Sequence, residues 1–360
     1  MTPAPTARDP QAGAVPVALE PIPCPLCGGR ETLHLASMPD FALGTPGLFP
    51  LARCAGCGLV HQNPRMREDQ IERAYPPHYH AHGREPNLAR LWRKRRAAVV
   101  WRLTRRHGYR HLDPAAAGSR LERLTAPLGA WWWRDAIDIT FPPWIGSGRL
   151  LDVGCATGVF LRQAREAGWS VAGIEIDPEA AARARSVTPD VFCGDTADAP
   201  FAPGSFDVVT SLHVVEHLVD PVGALGRMIR WLAPGGLLIV EVPNVDGVGG
   251  RLFGRYWSGL DYPRHLVHFT PATMAAMVAK AGGRVVRAQH RNKPRYIVRS
   301  VRNLVTARRD PASRALGALL ARRAGRDLLR RACEAVMPLG QVAGYGEAVR
   351  YYIRAAGADR

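Results

Sequence analysis

Four cysteines near the start of the chain have the spacing of metal ligands. They form two Cys-x-x-Cys pairs, Cys24 with Cys27 and Cys54 with Cys57, and a glycine follows each pair. Such pairs are typical of zinc knuckles, in which the glycine lets backbone N–H groups approach the thiolates. Four thiolates complete a tetrahedral shell and leave no position for a reactive water. The sequence therefore predicts a structural Zn²⁺ in a small zinc ribbon, with a short hairpin between the pairs.

The stretch RLLDVGCATGVFL, residues 149–161, has the pattern of a nucleotide-binding turn. A short apolar run ends in an acid, Asp152, and two glycines follow before helical spacing resumes. Because a carboxylate before the first glycine opposes the pyrophosphate of a dinucleotide, the turn suits a cationic ligand. Glu175 ends the next predicted strand, at the distance where such folds use an acid to hold ribose hydroxyls. The two acids together indicate a nucleoside that carries a positive charge.

Four motifs of this region lie in a recognisable order. They are DVGCATG at the end of the first strand, GIEID at the end of the second, GDTADAPFAPGSFDVV around the third and fourth, and LHVVEHLVDP after the fourth. In order and spacing, residues 148–245 resemble the class I S-adenosylmethionine-dependent methyltransferases. Ala156 departs from the family's pattern at the middle of the turn, but a small residue still lets the backbone approach a ligand.

The resemblance implies an α/β fold, a doubly wound, seven-stranded Rossmann-like methyltransferase sheet, with S-adenosylmethionine as cofactor. It implies that the glycine-rich turn shapes the methionine side, that Glu175 takes the ribose, and that Asp195 with Thr196 flanks the adenine. The cofactor-binding residues expected are Asp152, Gly154, Cys155, Thr157, Gly158, Glu175, Ile176, Asp195, Thr196, Leu212 and His213. The alternative is a domain of the same fold whose nucleotide site is silent or different, because one fold hosts many functions.

Polar residues after the fourth strand are expected near the reacting methyl group. Ligands of such folds bind beyond the carboxyl ends of the strands, which places His213, Glu216 and His217 at the mouth of the sheet. After the fifth strand comes a long aromatic loop, 243–270, and loops of that length are usually lids or binding loops. Its segment YPRHLVHFT resembles the one that ubiquinone-type and related small-molecule methyltransferases place over the acceptor.

One histidine of this loop, His265, is the predicted acceptor-side base or orienter. An imidazole can take a proton near neutral pH, and an alcohol or a carbon acid must lose one to accept a methyl group. Arg264 beside it could hold an anionic substrate group. The residues predicted to support His265 in catalysis are His217, His213 and Tyr262. The alternative is that His265 only pins the lid through a hydrogen bond to the backbone.

The charge balance of the 360-residue chain indicates an acidic partner. Its 48 Lys and Arg stand against 31 Asp and Glu, a net charge of +17. Nucleic acid, an anionic membrane surface and a phosphate-bearing substrate all fit that balance. The first residues lack a signal-peptide pattern, no apolar run is long enough to span a bilayer, and the cysteines are odd in number. These features predict a cytoplasmic protein, with peripheral attachment at the inner membrane face as a further expectation.

The chain divides into four segments, one of which carries an insertion. They are a disordered N-terminus over 1–20, the zinc ribbon over 21–64, a basic helical linker or cap over 65–147, and the methyltransferase domain over 148–360 with a basic helical insertion at about 300–340. Residues 21–64 resemble the zinc-binding N-terminal module that precedes the methyltransferase domain in some sugar C-methyltransferases.

The linker contains three features of its own. YPPHYHAH at 75–82 predicts a surface loop that caps the active site. In 88–106 a dense basic surface surrounds an interrupted apolar stripe, so this helix and the insertion are expected to face an anionic surface. The alternative is a solvated helix that packs its stripe on the main domain. WWW at 131–133 and FPPW at 141–144 are expected to pack against the first strand.

The predicted reaction is methyl transfer to a small-molecule, sugar-nucleotide or lipid-linked acceptor. The first alternative is an rRNA or tRNA methyltransferase that uses the zinc ribbon and the basic surface. Against it, no Asn-Pro-Pro-aromatic motif for base amines follows the fourth strand, where the sequence is Ser211-Leu212-His213-Val214. The second alternative is a scaffold in which the ribbon binds a partner and the catalytic fold is silent.

Overall fold

The computed structural model describes residues 17–75, 95–133, 137, 141–308 and 310–357. Three predicted features therefore lie wholly or largely outside the described residues: most of the disordered N-terminus, the cap at 76–82 and the start of the basic helix at 88–94.

An N-terminal module of short strands comes first. Its elements are β1 (Leu19–Glu20), β2 (Thr32–Met38), β3 (Phe49–Cys54), β4 (Val60–Gln62), β5 (Arg65–Met66) and a 3-10 helix, Glu68–Ala74. β2, β3 and β4 form an antiparallel sheet, while β1 pairs with β5. The pairing of Leu19 with Met66 adds residues on both sides of the predicted ribbon, 21–64, to this module.

Two helices join the module to the main domain, α1 (Arg96–Arg106) and α2 (Arg120–Trp132). The apolar side chains of α1, among them Val99, Val100 and Leu103, are buried in the core of the main domain. The described part of the predicted basic helix therefore packs its apolar residues on the main domain. This matches the alternative of a solvated helix rather than that of a helix facing an anionic surface.

The three consecutive tryptophans at 131–133 do not pack against the first strand. Trp131 and Trp132 are 58% and 70% exposed, because α2 turns two other positions, Ala126 and Ala130, inward. The expectation holds for the following aromatic segment, in which Phe141 is buried in one core with Leu150 of the first strand and Trp144 packs against that core.

A seven-stranded sheet forms the main domain. Its first five strands are β6 (Arg149–Val153), β7 (Ser170–Glu175), β8 (Val191–Cys193), β9 (Phe206–Leu212) and β10 (Leu232–Pro243). Helices α3 (Val159–Glu166), α4 (Pro178–Ala184) and α5 (Pro221–Arg230) connect them. The order β8-β7-β6-β9-β10 reverses between β6 and β9, and this is where such folds bind ligands.

The loop after β10 is not structureless. It contains α6 (Val248–Phe253), 3-10 helices at Gly254–Tyr256 and Ser258–Leu260, and a short strand, β11 (Val267–His268). β11 adds an antiparallel edge to the sheet of the N-terminal module, with Val267 opposite His61 and His268 opposite Val60. We call residues 244–268 the lid. A strand of the lid and three strands of the module thus share one sheet.

The chain ends by completing the main sheet. α7 (Pro271–Lys280) leads to β12 (Gly283–Arg291), and three helices, α8 (Pro294–Ala307), α9 (Pro311–Ala321) and α10 (Arg323–Val342), precede β13 (Ala348–Ala355). β13 lies between β10 and β12 and runs antiparallel to both. The predicted doubly wound, seven-stranded sheet is confirmed.

Helices cover both faces of this sheet because its strands alternate. Along β6, Leu150 lies in the core that contains α1 and α3, whereas Leu151 lies in the core that contains α5 and α7. A strand buried on both faces needs the continuous apolar run that the sequence has there.

The predicted basic insertion is helical, but its first helix covers the lid. The backbone N–H of Ser258 donates to the hydroxyl of Ser300 on α8 at 2.8 Å, and Asn303 donates to the carbonyl of Tyr256 at 3.2 Å. Within the described part of the chain, no helix has the length and apolar character needed to cross a bilayer.

A buried ion pair joins the module to the lid. Arg264 is 1% exposed, and its guanidinium donates two hydrogen bonds to Asp40 of the module, at 2.7 and 2.9 Å. Asp261 accepts two more, at 2.8 and 3.1 Å. Nearby, the side-chain amide of Gln62 donates to the carbonyls of Pro263 and His265 at 2.9 and 2.8 Å. The lid backbone is therefore held in place by the N-terminal module.

Replacement of Asp40 by Asn should destabilise the protein by about 3–5 kcal/mol, because it leaves the buried charge of Arg264 short of a partner. The measurement is the free energy of unfolding in urea. Asp69→Asn is the matched control, since Asp69 forms an exposed pair with Arg67 in the same module and should cost less than about 1 kcal/mol. Equal effects of the two substitutions would contradict the importance of the buried pair.

Candidate active site at the mouth of the sheet

The glycine-rich turn has the tight geometry that the sequence predicts. Gly154 has a φ of +76°, and a Cβ there would lie 2.3 Å from the side chain of Val214. Gly158 caps α3 with a φ of +75°, and a Cβ there would lie 2.9 Å from the backbone of Ala184. Only glycine fits both positions. The contact with Val214 also sets the turn directly against the segment that carries the predicted histidines.

The carboxylate of Glu175 ties the turn to the end of β7. It accepts hydrogen bonds from the backbone N–H groups of Ala156 and Asp177, at 2.8 and 2.9 Å. Glu175 is buried, and so is the other predicted acid, Asp152 at the end of β6. The structure therefore brings the acids of the first two motifs to one turn.

Asp152 is protonated more readily than an ordinary aspartate. Thr210 donates a hydrogen bond of 2.6 Å to its carboxylate. Burial nevertheless raises the pKa of Asp152 to about 7, and the charge of Glu175 contributes to the increase. A cationic ligand at the turn would favour the ionised carboxylate.

The other predicted cofactor residues follow the ends of β7, β8 and β9. Asp195 accepts a hydrogen bond from the backbone of Ala197, and Thr196 is buried beneath the guanidinium of Arg227. Ile176 is exposed, whereas the side chain of Cys155 is buried below the turn. Cys155 can therefore reach a ligand only through its backbone. Thr157 is half-buried on the turn and Leu212 ends β9.

His213 lies between two buried carboxylates. Its Nδ1 is 3.3 Å from Glu216 and its Nε2 is 3.3 Å from Glu241. Desolvation and the charge of Lys293 lower the pKa of His213, but the hydrogen bonds to the two carboxylates outweigh them and raise it. Nε2 also lies 3.2 Å from Nζ of Lys293, so both ring nitrogens are engaged and neither is free to act as a base.

His217 and His265 meet edge to face, with ring centroids 4.6 Å apart. Nδ1 of His265 lies 2.8 Å from the carbonyl of Gly259, so it carries the proton, and Nε2 is left as the acceptor nitrogen. That Nε2 lies 4.0 Å from Glu216 and 3.9 Å from Asp261. The predicted base thus has one nitrogen fixed by the lid and the other directed toward two carboxylates.

His217 is held by both the lid and the module. Its Nδ1 lies 3.1 Å from the carbonyl of Arg264 and 3.0 Å from the hydroxyl of Tyr75. Burial, together with the neighbouring His265, lowers the pKa of His217 to about 4. Burial opposes ionisation of Glu216, but its hydrogen bond to His213 and the adjacent histidines hold its pKa below the ordinary value.

The same cluster has the composition of a metal site. Glu216, His217 and His265 each offer one ligand atom, and these atoms lie within 4.8 Å of one another. One carboxylate oxygen of Glu216, Oε2, has no hydrogen-bond partner among the described residues. The sequence predicts no metal here, and that prediction remains to be tested.

Three charged residues at this mouth are absent from the sequence-based prediction: Glu241, Lys293 and Arg350. Glu241 on β10 is 2% exposed, and its carboxylate lies 2.6 Å from Lys293 and 2.8 Å from Arg350. Burial opposes ionisation, but the charge of Lys293 and the hydrogen bond to His213 keep the pKa of Glu241 well below its ordinary value. The sequence does contain a signal for Glu241, because this single acid interrupts the apolar strand LLIVEV. In the structure Arg350 of β13 is its partner in the sheet register.

Two lid residues predicted to take part in the reaction, Arg264 and Tyr262, are buried. The suggestion that Arg264 binds an anionic substrate group is wrong, because Asp40 and Asp261 already occupy its buried guanidinium. Tyr262 is buried with Trp257 in the core between lid and module, and its hydroxyl has no partner among the described residues. Its support of catalysis stays a prediction.

The four N-terminal cysteines fit a structural metal. Their Sγ atoms all lie within 4.8 Å of one another, with Cys24 and Cys57 3.5 Å apart and Cys27 and Cys54 3.5 Å apart. A tetrahedron of thiolates with Zn–S distances of ~2.3 Å has edges of about 3.8 Å. The donor set and its size therefore suit zinc.

Known methyltransferases are similar to the part of the chain that contains most of the main sheet and its mouth. A family model described as a methyltransferase domain matches residues 109–288. Malonyl-[acyl-carrier protein] O-methyltransferase of Serratia marcescens is 31% identical over 127 residues, which cover 35% of this chain and 49% of that protein. 2-Methyl-6-phytyl-1,4-hydroquinone methyltransferase of Synechocystis is 40% identical over 107 residues, 28% of this chain and 33% of that protein. The chain thus spans half or less of these two relatives.

Ubiquinone biosynthesis O-methyltransferase of Xanthomonas oryzae pv. oryzae is matched over more of its length. It is 30% identical over 189 residues, which cover 45% of this chain and 79% of that protein. Among solved structures, an S-adenosylmethionine-dependent methyltransferase from Mesorhizobium loti matches with 18% identity and a TM-score of 0.41, over 62% of this chain and 97% of that one. With half of its length matched by the family model and the motifs placed at the mouth of the sheet, the chain belongs to the methyltransferase domain family, of the class I S-adenosylmethionine-dependent type.

Proposed function

We propose that this chain transfers a methyl group from S-adenosylmethionine to an oxygen of a small-molecule acceptor. The observation that carries the proposal is the pair formed by His217 and His265 beside Glu216. His217 and Glu216 lie on the segment whose Val214 packs against the glycine-rich turn, and His265 is supplied by the lid. Two of the relatives are named as O-methyltransferases, one of malonyl-[acyl-carrier protein] and one in ubiquinone biosynthesis. Sugar-nucleotide and lipid-linked acceptors fall within the same proposal.

The cofactor would be held by the turn and by the acids at the ends of β6 and β7. When bound, S-adenosylmethionine supplies an activated methyl group on a positively charged sulfur. Asp152 and Glu175 provide negative charge near the turn, and Asp195 with Thr196 borders the adenine side in this proposal. Most of what the protein contributes to such a displacement is alignment and the exclusion of water.

His265 is the residue best arranged to take a proton from an acceptor hydroxyl. Its Nδ1–H is fixed on the carbonyl of Gly259, so Nε2 is the nitrogen that accepts. Glu216 and Asp261, each about 4 Å from Nε2, would stabilise the imidazolium that forms. His217, with its lowered pKa, stays neutral and orients the ring of His265. The alternative role of His265, as a pin of the lid, uses only the bond to Gly259.

We place this function in the cytoplasm. None of the seven cysteines, all of which lie in the described part of the chain, forms a disulfide, which supports a reducing compartment. The RNA alternative gains no support from the named relatives, and α8 of the basic insertion is engaged with the lid.

S-adenosylmethionine should bind more tightly as the pH rises toward 7 and then with constant affinity. The reason is that Asp152 is protonated below about pH 7 in the free protein, so a cationic ligand must displace that proton. Calorimetry should show roughly a tenfold loss per pH unit below 7. Uncharged 5′-methylthioadenosine is the control ligand and should lack this dependence.

Asp152→Ala and Glu175→Ala should each abolish detectable binding of S-adenosylmethionine without unfolding the protein, and wild-type affinity in both would refute the cofactor site.

The purified protein should contain one zinc ion per chain, bound by the four cysteines. A Cys54→Ser, Cys57→Ser variant should lose it and lose the structure of the module, because so small a unit has little core of its own. Elemental analysis and a thermal unfolding curve provide the measurement. Stoichiometric metal retained in that variant would contradict the prediction and point instead to Glu216, His217 and His265.

Replacement of His265 by Asn separates the base from the lid pin. The Asn amide can still donate to the carbonyl of Gly259 but has no counterpart of Nε2. If His265 is the base, both His265→Asn and His265→Ala should slow transfer of labelled methyl to a phenol, which must lose a proton, by about two to four orders of magnitude. Cofactor affinity should not change. If it is only a pin, Asn should restore turnover while Ala weakens binding of cofactor and acceptor together.

A further inference from the structure

Helix α2 carries an exposed apolar ridge that the proposed reaction does not use. Its members share high exposure, between 58% and 72%, and they are Leu121, Leu124, Leu128, Trp131 and Trp132. At 100° per residue these positions fall within an arc of about 100°. Large apolar side chains grouped in this way on a surface mark an interaction site more often than an accident of composition.

The ridge faces directly away from the protein. The inward positions of α2 are Ala126 and Ala130, about 180° from the ridge, and Gly129 lies close to the side chain of Ala98 on α1. The start of the helix is fixed independently by a capping box between Ser119 and Glu122. Neither the packing of α2 on α1 nor the start of α2 therefore requires the leucines of the ridge.

The charge around the ridge selects the kind of partner. Between residues 95 and 133 the chain has eight arginines and two acids, and two of the arginines, Arg120 and Arg123, lie exposed on α2 beside the ridge. A second copy of the chain would bring an equal positive charge against it. A partner with negative charge is complementary.

We propose that α2 lies in the surface of an anionic membrane, with the ridge inserted among the lipid headgroups and acyl chains. A single convex helix needs no matching groove in a lipid surface, because lipids adapt to its shape. Leucines with tryptophans at one end, flanked by arginine, are the composition of interfacial helices. The basic helix before α2, which the sequence predicts to make this contact, is excluded from it because the apolar face of α1 is buried in the core.

The test is sedimentation of the full-length protein with vesicles of phosphatidylcholine, with and without phosphatidylglycerol. The wild type should bind the anionic vesicles, and less so as salt rises. Leu124→Ser with Leu128→Ser should weaken binding at least about tenfold, since two leucines no longer enter the bilayer. Arg120→Gln with Arg123→Gln should weaken binding only to the anionic vesicles.

Leu316→Ser with Leu319→Ser is the matched control, because these leucines are also exposed, on α9 of the basic insertion. It should bind like the wild type. An equal loss in both leucine variants, or no vesicle binding by the wild type, would overturn the proposal. So would a wild-type dimer that the α2 variant dissociates, because a second copy would then cover the ridge. The test needs no methyl transfer, so its failure is distinct from failure of the proposed function.

Discussion

The arrangement of the candidate active site depends on one buried cation, the guanidinium of Arg264. Two carboxylates neutralise it, Asp40 from the N-terminal module, 224 residues away, and Asp261 from the lid itself. A buried arginine that loses one of its partners is strongly destabilising. The module therefore cannot separate from the lid without a large loss of stability. Because the carbonyl of the same residue holds His217, this ion pair also sets the orientation of the proposed catalytic histidines.

The acids at the mouth of the sheet fall into two groups by their partners. Glu216 and Glu241 face cations of the protein itself, namely His213, Lys293 and Arg350. In the described part of the chain, by contrast, Asp152 and Glu175 have hydrogen-bond donors but no ion-pair partner. Buried carboxylates without a counter-ion are unfavourable until a cation arrives. The uncompensated pair is thus where a positively charged cofactor would complete the electrostatics under the proposed function.

The sequence predicts local features of this protein well and distant pairings poorly. The main sheet, the glycine-rich turn and its two acids follow from apolar runs and short motifs, and the structure confirms the sheet and brings these residues together. The pairing of Asp40 with Arg264 spans 224 residues, and β11 is only two residues long. The spacing of apolar and polar residues along the chain therefore predicts neither the ion pair nor the strand. For this reason the sequence alone suggests, wrongly, that Arg264 binds an anionic group of a substrate. The ridge on α2 was missed because apolar residues predict burial, and only the packing of Ala126 and Ala130 shows which side of that helix is covered.

The lid is better described as a fixed wall of the site than as a moving flap. Trp257, Leu260 and Tyr262 of the lid share one hydrophobic core with strands of the module, and β11 is hydrogen-bonded into the module's sheet. Movement of this part of the lid would have to break that core, the shared sheet and the Arg264 ion pair at once. Because the histidines are attached to such a wall, their geometry is set before any ligand binds, and the cost of ordering them has been met in folding. The N-terminal module is then physically part of the candidate active site, through Asp40, Gln62 and the strand that pairs with β11.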